Sequence, residues 1–399
     1  MKTPILADRL MTMNESQTIG MAKKARELAS KGIDVINLSF GEPDFQTPSH
    51  IKEAAKKAID EGYTFYPPVA GYLDLRKAIA EKLQRDNQLK VEAENIVVST
   101  GAKQAIINAL LCIVNPGDEV IIAAPYWVSY LEMVKFAEGI PVIVHGSFEN
   151  NFKVTADQIK KAITSQTKAI IYSSPCNPTG AIFSKEELTA IAEVISKHPS
   201  IYILADEIYE YICFTEEYFS IGSLDFIKDQ VITINGFSKG FAMTGWRVGY
   251  LAAPLAIANA CDKIQGQFTS ATCSIAQRAA LAALTSDLTP THEMTKAYLR
   301  RRELVIKLLK QIPGIKTTVP DGAFYVFPDI SSYIGKKYRD QIIRNATDLC
   351  MYLLNEAHVS IVTGEAFGEP NCVRISFAAS DENLQKAFDR IKTALAQLQ

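Results

Sequence analysis

The middle of the chain alternates short apolar runs with amphipathic segments of helical spacing. From about residue 95, "NIVVST" precedes "AKQAIINALLCIV" and "DEVIIAAP" precedes "WVSYLEMVKFAE". "IPVIVH" leads to "TADQIKKAIT", "KAIIYSSP" to "SKEELTAIAEVISKH", and "SIYILADE" and "VITING" are two further apolar runs. These runs are continuously apolar rather than alternating, as strands of a parallel sheet are when both faces are covered. Strand and helix in alternation predict an α/β layered domain. Ser184 and Glu187 have the spacing of a capping box and place the start of their helix.

Near residue 290 the pattern changes. The long amphipathic "TKAYLRRRELVIKLLKQI" leads into "GAFYVFPDI", "HVSIVTG" and "CVRISFA", with a last helix after Ser380. That order predicts a smaller α+β domain, on which the arm before "INLSFGEPDF" is expected to pack. The expected division is an N-terminal arm and part of the small domain over 1–45, a large domain over 46–290 and the small C-terminal domain over 291–399.

Composition mainly excludes. A chain of 399 residues exceeds the length at which one core tends to split. A net charge of -2 gives no reason to expect nucleic acid or an anionic membrane as partner. The longest apolar runs are too short to span a bilayer, and "MKTPILADRLMTMNES" does not read as a secretory signal. The seven cysteines are scattered with no C-x-x-C pair, and none of the five histidines has H-E-x-x-H spacing. Free thiols, a cytoplasmic setting and no metal are expected.

Candidate chemistry sits at the carboxyl ends of the strands, where open α/β sheets bind ligands. "STGAKQA" is a strand end, a glycine and a helix start, a turn that favours an anion but binds nothing in most proteins. Lys103 within it reads equally as a solvated helix lysine. Trp127 follows a strand end as either a core aromatic or a stacking face for a planar ring. Asn177 lies in the turn-rich "SSPCNPTGAIFS", for backbone reasons or as an amide donor. Asp206 ends the strand of "ILADEIYEY", with Tyr209 three residues on. A carboxylate there needs a cation, from the protein or from the protonated ring nitrogen of a cofactor.

"INGFSKGFAMTGWRVGY", from Ile234 to Tyr250, holds Lys239 and Arg247 and no acid. Desolvation lowers the proton affinity of such a lysine and makes it a nucleophile for a carbonyl. Arg247 suits a phosphate. A phosphate-bearing aldehyde with a pyridine ring satisfies all these groups together.

The chain resembles the class I aminotransferases of the aspartate aminotransferase group, fold-type I pyridoxal-phosphate enzymes. The pattern "GFSKGFAMTGWRVG" fits at each defined position, and "GEPDFQTP", "YPPVAGYLDLR", "PYWVSY", "NPTGAIFS", "DEIYEY", "GAFYVF" and "VRISFA" follow the family's order. The resemblance implies an α/β large domain with a mostly parallel seven-stranded sheet, a smaller α+β domain, pyridoxal 5'-phosphate as cofactor and a homodimer with shared sites. It assigns Lys239 to the Schiff-base lysine, Asp206 to the ring nitrogen, and Asn177 and Tyr209 to the ring hydroxyl oxygen. Trp127 stacks on the ring, while Arg247, Gly101 and Ala102 take the phosphate, joined by Tyr66 from the neighbouring subunit. Arg374 grips the substrate α-carboxylate, with Gly41 as a backbone contact. Many relatives have Ser three residues before the lysine, where this chain has Gly236, so one phosphate hydrogen bond is lacking.

No arginine stands in "IQGQFTSATCSIAQ", where other branches hold the distal carboxylate of the substrate. The bacterial branch uses a lysine that maps to Lys103 and a Ser/Thr pair that maps to Ser16 and Thr18. Aspartate and 2-oxoglutarate are the expected substrates. Alternatives on the same fold are a prephenate, aromatic or kynurenine aminotransferase, or a β-lyase.

Overall fold

The structure is a computed structural model that describes residues 7–11, 13, 17–215 and 217–399, without the side chains of 8, 9 and 17–19. Its centre is a seven-stranded sheet. The strands are β1 (Ile96–Ser99), β2 (Glu119–Ala124), β3 (Ile140–His145), β4 (Thr167–Ser173), β5 (Tyr202–Asp206), β6 (Val231–Gly236) and β7 (Gly249–Ala252). They lie in the order β1-β7-β6-β5-β4-β2-β3. All are parallel except β7, which runs antiparallel to both its neighbours. Its residues are small or apolar and follow the 3-10 turn Thr244–Trp246, so no helix intervenes between β6 and β7. The antiparallel return is a feature of the tertiary fold.

The predicted apolar runs are the observed strands. β1, β6 and β7 are buried along their whole length, as a sheet covered on both faces requires. One layer packs Ala105, Ile106 and Ala109 of helix α1 (Ala102–Ile113) against Val120, Ile122 and Leu204. On the opposite face, Ile159, Leu188 and Ile191 cover Ile121, Ile170 and Ile203. The capping box forms: Ser184 Oγ accepts from the Glu187 N–H at 3.2 Å, and Glu187 accepts from the Ser184 N–H at 2.7 Å.

A separate apolar core unites both ends of the chain. Met21 and Ala25 of the helix Gln17–Ala29, together with Ile36 and Leu38, share it with Met294 through Leu398. Ile36–Asn37 pairs in parallel with Val359–Ser360. The expected packing of the arm on the C-terminal part is therefore observed from Met21 onward. The long helix begins earlier than the sequence pattern gave, at Thr289, because Pro290 occupies its first turn. The C-terminal sheet is antiparallel, with Val373–Ser376 between Val362–Thr363 and Tyr325–Val326. It carries Arg374 on its central strand.

No described helix is long and apolar enough to cross a membrane. No group of His, Cys, Asp and Glu among the described residues could hold a metal ion.

Candidate active site

A cavity of about 400 Å³ opens at the carboxyl edge of the sheet. Asp206 closes β5 and is buried at 4% exposure. Its Oδ2 accepts from the Tyr130 hydroxyl at 2.5 Å and its Oδ1 from the Ile208 N–H at 3.3 Å. Burial raises its pKa from 3.8 to about 6, against the Tyr130 hydrogen bond, which favours the charged form.

Lys239 follows β6 and lines the same cavity. Its amine donates to the Gly41 carbonyl and makes no ion pair among the described residues. Burial first, then the Arg374 and Arg247 cations, lower its pKa from 10.5 to about 8. An amine in that state is partly neutral near pH 7.5 and available as nucleophile or base.

Arg374 is one of the largest buried side chains, at 2% exposure. It donates to Asn177 Oδ1 at 2.9 Å and to the Ser39 carbonyl at 2.7 Å, and its Nε has no partner. The guanidinium lies 4.4 Å from the Tyr325 ring centroid. A buried guanidinium with a free donor and no carboxylate is a prepared anion site. The bond from Arg374 occupies Asn177 Oδ1 and leaves the amide nitrogen as the donor. Tyr209 and Tyr325 hydroxyls pair at 2.8 Å, and burial pushes Tyr209 well above the usual tyrosine range and raises Tyr325.

The third feature is the turn into α1. Gly101 has φ +81°, a conformation that favours glycine, and the Arg247 guanidinium lies 2.5 Å from where a Cβ would stand. The N–H groups of Ala102 and Lys103 have no backbone acceptor. Arg247 donates only to carbonyls, of Thr244 at 2.9 Å and Thr100 at 3.5 Å. Free N–H groups at a helix start beside an unpaired guanidinium make a cradle for a phosphate. Gly236 has its own reason. It pairs with Gly249 across β6 and β7, and a Cβ there would be 2.8 Å from the Gly249 Cα. A serine does not fit at 236 without movement of β7.

Trp127 forms part of the cavity wall, and the Lys103 amine lies 4.9 Å over its ring. Burial and the Arg247 charge lower the Lys103 pKa. Thus Lys239, Asp206, Tyr209, Asn177, Trp127, Arg247, Arg374, Ala102, Lys103 and Gly41 come together. Gly101 stands directly behind Arg247. Tyr66 is 95% exposed and does not reach the cavity of its own chain. Ser16 and the Thr18 side chain lie outside the described residues. Sequence reasoning missed Tyr130, Tyr325, Glu42 and Arg26. Tyr130 stands three residues after Trp127, in the first turn of the helix Ser129–Phe136, and its hydroxyl reaches Asp206. Glu42, next to Gly41, accepts from the Thr244 hydroxyl at 3.1 Å.

These features define an amine nucleophile, a buried acid and two anion sites on a doubly covered α/β sheet, the layout of a cofactor-dependent group-transfer enzyme. The family "Aminotransferase class I and II" matches residues 33–391, and the chain belongs to it. It is an enzyme, a transaminase. It is 46% identical over 396 residues to an aspartate/prephenate aminotransferase of Cereibacter sphaeroides, covering 98% of this chain and 99% of that protein. It is 44% identical over 400 residues to a bifunctional aspartate aminotransferase and glutamate/aspartate-prephenate aminotransferase of Petunia hybrida, covering 98% of this chain and 83% of the relative. Among solved structures, the aspartate aminotransferase of Rhizobium meliloti superposes with a TM-score of 0.96 at 39% identity over the whole of both chains. That of Thermus thermophilus with maleate superposes at 0.92 and 41% identity, over 98% of this chain and 100% of that one.

Proposed function

We propose that the protein is a pyridoxal-5'-phosphate-dependent aminotransferase that moves the amino group of L-aspartate to 2-oxoglutarate, as a cytoplasmic homodimer. One observation carries this reading: Lys239 and Asp206 face one cavity, the lysine with its pKa lowered to about 8 and the acid with its pKa raised to about 6, beside an Arg374 that lacks a carboxylate. The residues present fit the cofactor, because the missing Cβ at Gly101 makes room for Arg247 against the free N–H groups of α1.

When bound, the cofactor supplies a carbonyl carbon that links to an amine and a protonated ring that draws electrons from the substrate Cα. Lys239 would hold the cofactor through that carbonyl carbon and, as a free amine, would move the proton at Cα. Asp206 would keep the proton on the ring nitrogen, with Tyr130 orienting the carboxylate for it. The Asn177 amide nitrogen and Tyr209 would donate to the ring oxygen, with Tyr325 orienting Tyr209. Trp127 would offer its face to the ring. Arg247, Gly101 and Ala102 hold the phosphate, and the partner's copy of Tyr66 completes it, for which exposure at 95% leaves it free. Arg374 binds the α-carboxylate beside the Gly41 backbone. Lys103, with Ser16 and Thr18, binds the distal carboxylate.

The division at 1–45, 46–290 and 291–399 belongs to the same proposal. Val373 and Ile375, on either side of Arg374, share a core with Met21 and Ala25 of the helix Gln17–Ala29, so closure of that unit would carry Arg374 and the helix toward the sheet and exclude water. The Thermus thermophilus enzyme was solved with maleate, a dicarboxylate, which supports an acidic substrate. The names of the Cereibacter and Petunia relatives support a second activity toward prephenate.

The test is the visible spectrum of cofactor-loaded protein before and after L-aspartate, with no oxo acid present. Conversion of the cofactor to its amine form is the expected result. No change with aspartate but conversion by an aromatic amino acid overturns the substrate and keeps the chemistry.

A further inference from the structure

We propose that Arg26 is a specificity-determining residue: a second cation, at the cavity mouth, for the distal carboxylate of a dicarboxylic substrate. This rests on the reading of the cavity as an aminotransferase site for acidic substrates. Arg26 lies on the helix Gln17–Ala29, and Ala22, one turn before it, lines the cavity with it. Among the described residues the Arg26 guanidinium has neither an ion pair nor a hydrogen bond to a side chain or carbonyl.

Charge in the cavity is unbalanced. Five cations line it, Arg26, Lys103, Lys239, Arg247 and Arg374, against two acids, Glu42 and Asp206. Lys239 and Asp206 serve the chemistry, Arg247 stands at the phosphate cradle and Arg374 at the α-carboxylate. Lys103 and Arg26 remain for the outer end of the substrate. Glu42 is engaged with Thr244 and makes no ion pair with Arg26. Lys103, whose amine lies over the Trp127 ring, is a single point charge. A guanidinium keeps its charge at every working pH and offers a planar fork to a carboxylate. Arg26 is exposed, so its contribution is modest and screened by salt.

The experiment measures binding of maleate and of hydrocinnamate, a monocarboxylate, to the cofactor-loaded protein by spectral titration. It compares wild type, Arg26→Gln, Arg26→Lys and Lys103→Gln. The expected result is maleate binding weakened about fivefold in Arg26→Gln, in line with an exposed charge contact, and largely restored in Arg26→Lys. Added salt should shrink that difference. Hydrocinnamate affinity should stay within about twofold. Equal loss of both ligands in Arg26→Gln overturns the inference, because the residue then acts through shape. Unchanged maleate affinity in Arg26→Gln, with loss in Lys103→Gln, overturns it and leaves the proposed function standing. Failure of wild type itself to bind maleate overturns both.

Discussion

Two clusters of charge flank the segment 206–210, and they are built on opposite rules. On the cavity side, Lys239, Arg247 and Arg374 make no ion pair among the described residues. On the other side, Lys82 is buried at 1% exposure, yet it donates to Glu210 and to Asn87 Oδ1 at 2.5 Å. Asn87 Nδ2 donates to Glu210 at 2.7 Å and to Glu207 at 3.2 Å, and Ser220 donates to Glu207 at 2.5 Å. Burial, with help from Glu210, pushes the Glu207 carboxyl up to about 8. Asp206 and Tyr209 face the cavity while Glu207 and Glu210 face this second cluster. The contrast teaches that a paired buried charge holds the chain, whereas an unpaired one waits for a ligand.

The largest expected effect breaks the unpaired side. Lys239→Ala should lower turnover by about 10⁴-fold or more while circular dichroism and cofactor-free stability stay near wild type. Full activity in that variant removes the assignment. Next comes the paired side. Lys82→Met strands the Glu210 carboxylate in the interior and should cost about 3–5 kcal/mol in denaturant unfolding. Loss of activity at unchanged stability would erase the contrast between the clusters.

Arg374→Lys keeps the charge but loses the planar fork, and should raise KM for the amino acid on the order of 100-fold. Steady-state kinetics at saturating oxo acid read it. The smallest effect concerns Asp206 in cofactor-free protein. Its folded pKa lies above the unfolded value of 3.8, at about 6, so stability is lost as pH rises through that window. Asp206→Asn does not titrate there and should be more stable than wild type by roughly 1–3 kcal/mol at pH 8. The gain should vanish near pH 4. A gain that persists at pH 4 would mean that burial of the charge is not its cause.

The pattern of apolar runs already contained the covered parallel sheet, because full burial on both faces leaves a signature in each strand. It also contained the capping box at Ser184. The unpaired Lys239 and Arg247 were legible as a stretch without acids. Gly101 was legible as a turn, but the guanidinium that fills the place of its Cβ was not. Other elements lie beyond local pattern. β7 returns antiparallel to β6 because only a short turn-rich segment with no crossover helix joins them, and its register brings Gly236 against Gly249. Tyr130 meets Asp206, Tyr325 meets Tyr209, and Arg26 reaches the cavity from the far end of the chain. Sequence by itself determined which side chains are costly to leave unpaired, since that follows from residue type and apolar context. Which of them face one another was decided only by tertiary packing, because contacts between residues 26, 130, 206, 239 and 374 depend on layers that no local periodicity encodes.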